Sequence, residues 1–192
     1  MTTGVSALII ALALSHAAPA QSEVRWGLPE LMQELRAVKS AHGRFVERKY
    51  LAALSAPLEL SGTLAYTAPG RLEKRTLQPR AERLLLEGNT LTVEDHKRRR
   101  SYALEQNPPV WAFVESIRST LAGDLETLNR FYDVRLEGER SAWRLTLRPS
   151  EPSMQSMVSE IRIGGRGAWL EAIEVLDAGG DRSVMTITRD AS

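Results

Sequence analysis

Polar and apolar residues alternate along much of the chain. Leu58, Leu60, Gly62, Leu64 and Tyr66 fall at every second position, with Glu59, Ser61, Thr63 and Ala65 between them. A period of two belongs to a strand with one buried face. Pro69-Gly70 breaks the pattern and a second strand starts at Arg71. Ala81 to Glu87 and Thr90 to Asp95 flank Gly88-Asn89, a hairpin turn by residue type. Arg99 to Glu105 returns across the tip Asp95-His96-Lys97-Arg98. Later, Tyr132, Val134 and Leu136 alternate up to Gly138, and Trp143, Leu145 and Leu147 alternate on the return. Ile161 and Ile163 lead into Gly164-Gly165-Arg166-Gly167; Ile173 and Val175 precede the turn Asp177 to Gly180, and Met185 and Ile187 follow it. Counted from Arg44, this predicts about eleven strands joined by short turns. Such a meander closes into a barrel or curls strongly.

Two segments have the helical period instead. Leu28, Leu31, Met32, Leu35 and Val38 form one stripe, with Pro29 suited to the first turn and His42-Gly43 to the end. In mid-chain, Asn107-Pro108-Pro109 precedes Val110, Phe113, Val114, Ile117 and Leu121, again one stripe. Gly123 ends that helix, and Asp124 caps a second carrying Leu125, Leu128 and Phe131. Two amphipathic helices inserted in a meander cover a face of the sheet or plug its mouth, as a lid or as a static part of the core.

The first twenty residues change the compartment. Ala7 to Leu14 is a short apolar run, and Ala18-Pro19-Ala20 precedes Gln21. This is the pattern of a cleaved secretory signal over residues 1–20, leaving a single domain over 21–192 in the periplasm. Lys and Arg number 25 against 24 Asp and Glu, a balance that steers the protein toward neither nucleic acid nor anionic lipid.

Catalytic chemistry finds little to work with. There is no cysteine, hence no disulfide, no thiolate and no Cys-type zinc site. Only His42 and His96 lie beyond the leader. Glu94-Asp95-His96 reads as a hairpin tip, because adjacent strand residues point to opposite faces. Nucleophile-elbow, zinc-helix and phosphate-loop motifs are missing. The expectation is a non-enzyme with no cofactor and no metal. Lys97-Arg98-Arg99-Arg100 reads as a solvated turn or a basic patch for a membrane surface or a partner.

Taken together, these elements resemble the LolA family of periplasmic lipoprotein carriers. The matching residues are Phe45, the run Ser61-Gly62-x-Leu64-x-Tyr66-x-x-Pro69, Leu84-x-Leu86-x-Gly88-x-x-Leu91, the Pro108–Leu121 insert, and Trp143-x-Leu145-x-Leu147-x-Pro149. The resemblance implies a mainly β fold: an N-terminal helix, a curled antiparallel sheet or incomplete barrel of about eleven strands, and an inserted helical lid over an apolar cavity. It also implies a carrier of lipid or lipidated protein between an inner-membrane donor and an outer-membrane acceptor, acting as a monomer. The sequence departs from the family pattern in two places. Ala68 stands before Pro69 where the family has an arginine tied to lipoprotein handling and lid closure, and the chain stops soon after the Met185–Thr188 strand, where the family usually carries a further strand and tail.

On this reading Leu60, Leu64, Tyr66, Leu84, Leu86, Trp143, Leu145 and Leu147 line the cavity, and Phe113, Val114 and Ile117 close it. The other class of function is an adaptor that presents a sheet edge to a protein partner. A carrier has an apolar pocket, whereas an adaptor has a filled core.

Overall fold

A computed structural model describes residues 26–190; the leader expected over residues 1–20 lies outside them. Helix α1 spans Leu28–Ala37. Its start is fixed by Pro29 in the first turn and by the Glu30 carboxylate, which accepts from the Gly27 N–H at 2.9 Å. His42-Gly43 does not end it. The backbone is already extended at Val38, and β1 runs from Ser40 to Tyr50. Gly43 serves strand packing instead, since a Cβ there would sit 2.8 Å from the Thr188 carbonyl oxygen.

The remaining strands are β2 (Leu58–Thr67), β3 (Arg71–Gln78), β4 (Glu82–Glu87), β5 (Thr90–Asp95), β6 (Arg99–Ala103), β7 (Tyr132–Glu139), β8 (Ala142–Pro149), β9 (Val158–Arg166), β10 (Trp169–Asp177) and β11 (Arg182–Arg189). They form one antiparallel sheet in the order β6-β5-β4-β3-β2-β1-β11-β10-β9-β8-β7, which is not closed into a barrel. The first and last strands therefore meet in the middle, through pairs such as Phe45 with Ile187.

This order dictates where the helical insert goes. β6 and β7 are consecutive in sequence yet occupy opposite edges of the sheet. The connection between them has to travel from one edge to the other. It holds a 3₁₀ turn (Leu104–Gln106), α2 (Pro108–Ala122) and α3 (Leu125–Phe131). Asn107 caps α2, and Asp124 caps α3 by accepting from the Thr127 N–H at 3.0 Å. Gly123 ends α2 in the left-handed region at φ 63°, against α1: a Cβ there would meet the Met32 carbonyl oxygen at 2.0 Å. The Arg36 guanidinium donates to the Gly123 carbonyl at 2.7 Å, which ties the two helices together.

The packed core lies on one side of the molecule. Leu31, Met32 and Leu35 of α1, Leu128 of α3, Trp143, Leu145 and Leu147 of β8, and Ile161 and Ile163 of β9 form one buried cluster. A short helix α4 (Pro152–Gln155), not foreseen from the sequence, adds Met154 to it.

Candidate functional site

β2 to β5 carry the same alternation as β8 and β9, but a different surface lies across from them. On β2 the inward residues are Leu64 and Tyr66, paired with Lys74 and Leu72 of β3. Those pair in turn with Leu84 and Leu86 of β4, and Leu86 pairs with Leu91 of β5. The row faces a cavity of about 420 Å³. Ile173 and Val175 of β10, and Met185 and Ile187 of β11, reach it from the other side. Seven strands that are consecutive in the sheet, β5 through β1 to β10, touch one cavity, which requires the sheet to curl around it. Leu35 and Val38 form part of one wall.

Helix α2 closes the space, and it does so inside out. Its buried residues are Ala112, Glu115, Ser116, Ser119 and Thr120. Its apolar stripe, Phe113, Val114, Ile117 and Leu121, is only half-buried and lines the cavity. The buried polar stripe is satisfied internally. Ser116 Oγ donates to the Phe113 carbonyl and Thr120 Oγ1 to the Ser116 carbonyl, both at 2.6 Å. Hydroxyls bonded to their own helix enter a core without stranded donors. Tyr132 Oη donates to the Ala112 carbonyl at 3.0 Å, and burial pushes the Tyr132 phenol well above its ordinary range.

The buried Glu115 holds α2 in place. It accepts from Trp111 Nε1 at 2.9 Å, from Ser119 Oγ at 3.1 Å and from Arg118. The same arginine donates from Nη1 to the Gly88 carbonyl at 2.6 Å, and its stem lies against Gly70. Arg118 thus pins the helix to the β2–β3 and β4–β5 turns. At the position of the expected family arginine, Ala68 donates only its backbone N–H, to the Lys39 carbonyl at 2.9 Å. A second cleft, of about 590 Å³ and more polar, lies beside this latch, with Arg71, Glu87, Glu115 and Arg118 in its wall.

At the far end of β1 the cavity becomes charged. Phe45, Glu47 and Lys49 alternate onto the inner face. Glu47 is 5 % exposed; its carboxylate is bound by Lys74, accepts from Ser183 Oγ at 2.7 Å and lies 3.7 Å from Lys49 Nζ. Burial by itself would raise the Glu47 pKa, but the Lys74 charge and hydrogen bond, with help from Ser183 and Lys49, outweigh it and hold the group below the usual range. Lys74 Nζ also sits 4.8 Å from the centre of the Phe45 ring. Gly62 lies under that ring: a Cβ there would meet the Arg75 carbonyl oxygen at 1.8 Å and the ring at 3.0 Å.

The structure divides the residues expected at the cavity. Leu64, Tyr66, Leu84, Leu86, Phe113, Val114 and Ile117 lie in its wall. Trp143, Leu145 and Leu147 lie in the packed core, at 4 %, 0 % and 0 % exposure. Leu60 pairs with Glu47 on the inner face but stands outside the lining. Sequence reasoning missed Leu72, Leu91, Ile173, Val175, Met185, Ile187 and the charged group. The signal for the last was the alternation Phe45-x-Glu47-x-Lys49, which puts both charges on the face of the phenylalanine.

Elsewhere, Asp95 Oδ1 accepts from the N–H groups of Lys97 and Arg98 at 2.7 and 2.9 Å, which lowers its pKa and ties it to its own turn. Among the described residues no three His, Asp or Glu side chains are grouped to hold a metal, and no helix is long and apolar enough to cross a membrane.

A curled, open antiparallel sheet with an apolar cavity roofed by an inserted helix defines a class of non-covalent binding fold. Residues 17–191 match the family model described as "outer membrane lipoprotein carrier protein LolA-like", and the chain belongs to that family. No curated protein matches it. Among solved structures it is similar to a LolA superfamily protein from Nitrosomonas europaea (13 % identity, 84 % of this chain and 93 % of that one, TM-score 0.44). It is also similar to a chain in the MucA/MucB complex of Pseudomonas aeruginosa (14 %, 86 % and 56 %, TM-score 0.42) and to the lipoprotein LppX of Mycobacterium tuberculosis (10 %, 85 % and 97 %, TM-score 0.41).

Proposed function

We propose that this protein is a periplasmic carrier. It shelters the acyl or other apolar chain of a lipid or lipidated protein in the α2-roofed cavity and passes it toward the outer membrane. The inverted burial of α2 supports this most directly. A helix that only stabilised the fold would bury Phe113, Val114, Ile117 and Leu121 and leave Ser116 and Thr120 outside. Here the opposite stripe is buried, while the apolar one is half-buried and lines the cavity, with Phe113, Ile117 and Leu121 also packed against the core. Solvent exclusion then drives binding, at about 0.8 kcal/mol per methylene sheltered. No bond is made or broken, and the direction of transfer comes from the relative affinities of donor and acceptor membranes.

The test is mass spectrometry of the protein purified from the periplasm without detergent. The carrier reading expects a long-chain lipid or lipopeptide released on denaturation, near one per protein. A protein that emerges empty and binds no apolar probe contradicts it. The family's description, as lipoprotein carrier, supports this reading.

One observation favours an adaptor as a second reading. Among the described residues β6 pairs only with β5, and all five of its residues are exposed, Tyr102 among them. A free, solvated edge accepts a strand from a protein partner. An empty cavity combined with capture of an extended peptide along β6 would favour that reading.

A further inference from the structure

The charged end of the cavity is chemically asymmetric. Two ammonium groups, Lys74 and Lys49, face one carboxylate, Glu47, and all three lie in the lining. Lys74 is held by Glu47 and by the Phe45 ring beneath it. Both oxygens of Glu47 are engaged, one by Lys74 and the other by Ser183. Lys49 is the surplus charge: its side chain is 38 % exposed and, among the described residues, its one ion-pair contact is the 3.7 Å approach to Glu47. The other acidic or basic residues in the lining, His42 and Glu73, alternate to the opposite faces of β1 and β3 from Glu47 and Lys74. The Glu73 carboxylate is moreover engaged by Arg71, Arg75 and Arg83. Next along β11, Arg182 is occupied by Glu174 at 3.6 Å and by the Tyr50 ring at 4.5 Å.

This group also lies away from the roof. Arg118 pins α2 over the Gly70 and Gly88 turns, at the Tyr66, Leu72 and Leu86 end of the strands. Glu47 and Lys49 sit toward the opposite end of β1, beside Ser183 at the start of β11. One end of the cavity is therefore apolar and covered, while the other carries a net positive charge.

Building on the carrier reading, we propose that the cavity selects an amphiphile with a single anionic head, a carboxylate or a phosphate ester, whose head meets Lys49 beside the Lys74–Glu47 pair and whose apolar tail lies under α2. Glu47 has two roles here. It makes burial of Lys74 tolerable, and it leaves one cation uncompensated. A neutral head would leave that cation without a counter-charge in a half-desolvated site, whereas an anionic head completes it.

The test uses the full mature chain freed of lipid, with four probes of equal tail length: a fluorescent polyenoic fatty acid, its methyl ester, the alkyl phosphate and the alkyl ammonium. The acid or the phosphate should bind about tenfold tighter than the ester, and the ammonium weakest. Lys49→Gln should remove most of that preference, bringing the acid and the phosphate down toward the ester. Glu47→Gln, with its fold checked by the thermal melt, should strengthen anion binding by freeing Lys74. Whichever of acid and phosphate binds tighter names the head. If acid, phosphate and ester bind alike, and Lys49→Gln alters none of them, the head assignment is overturned while the carrier reading stands. If no probe binds at all, both fall.

Discussion

β8 and β4 both set apolar residues at every second position and do different work. In β8, Trp143, Leu145 and Leu147 alternate with polar residues; in β4, Leu84 and Leu86 share one face, with Leu85 on the other. Leu145 and Leu147 are completely buried, because α1, α3 and α4 press side chains into the face they share with β9. Leu84 and Leu86 look across a cavity of about 420 Å³ at one stripe of α2. The strand pattern says which face is apolar, and the element opposite decides whether that face stabilises the fold or stores a ligand. One region is a core in the ordinary sense. The other is a core with its partner left out.

The largest effect should follow from attacking the packed region. Leu145→Ala removes a side chain with no exposure and no room for the surroundings to collapse. It should cost about 2–5 kcal/mol and lower Tm by many degrees in a thermal melt, with probe binding preserved at temperatures where the protein stays folded. Next comes the latch. Arg118→Met leaves Glu115 buried with neutral partners only and releases the Gly88 carbonyl; it should cost about 1–3 kcal/mol and speed probe dissociation, read by stopped-flow displacement. Smaller still is Leu84→Ala. A wall that already borders empty space loses few contacts, so stability should fall by less than about 1 kcal/mol while probe affinity drops several-fold. If Leu145→Ala and Leu84→Ala cost the same, the distinction between the two regions is wrong.

A pH-dependent effect concerns the outer face behind the cavity. Hydrogen bonds from Arg83 and Arg75 hold Glu73 at a pKa of about 2 against an ordinary 4.5, despite burial that would raise it. Because the folded-state value is the lower one, its contribution to stability is complete above pH 4.5 and disappears as pH falls through 2. Glu73→Gln should therefore reduce stability at neutral pH and flatten the acid limb of the pH–stability curve in that window. An unchanged acid limb would show that the Glu73 pKa is not lowered in the folded protein.

Much of the architecture was legible in the sequence. The Pro69-Gly70, Gly88-Asn89 and Asp177–Gly180 turns separate alternating runs cleanly, and the Pro108 and Asp124 boundaries mark the inserted helices. His42-Gly43 misled because glycine after a helical stripe suits a C-cap, whereas here the close approach to Thr188 needs it in a strand. The cavity was legible only in part. Period two places Trp143, Leu145 and Leu147 on an apolar face just as it places Leu64 and Tyr66, and nothing local distinguishes a face met by α1 and α3 from one met by a void. The buried stripe of α2 was hidden for a related reason: Ser116 and Thr120 bond to their own helix, so their polarity does not force them outward. Glu47 and Lys49 were visible as alternating residues, but their partners Lys74 and Ser183 come from distant strands.

Phe113 and Ile117 lie one turn apart on the half-buried stripe of α2, over the cavity. The double change Phe113→Ser, Ile117→Ser, followed by acyl-probe titration and a thermal melt, therefore tests the central claim most directly. If the stripe roofs a ligand cavity, probe binding should fall strongly while the cooperative melt is largely retained, because the fully buried residues of α2, Ala112, Glu115, Ser116, Ser119 and Thr120, are untouched. If the melt collapses by the several kcal/mol expected for two truncated core residues, and the wild type binds no probe, α2 is ordinary core and the carrier account is contradicted.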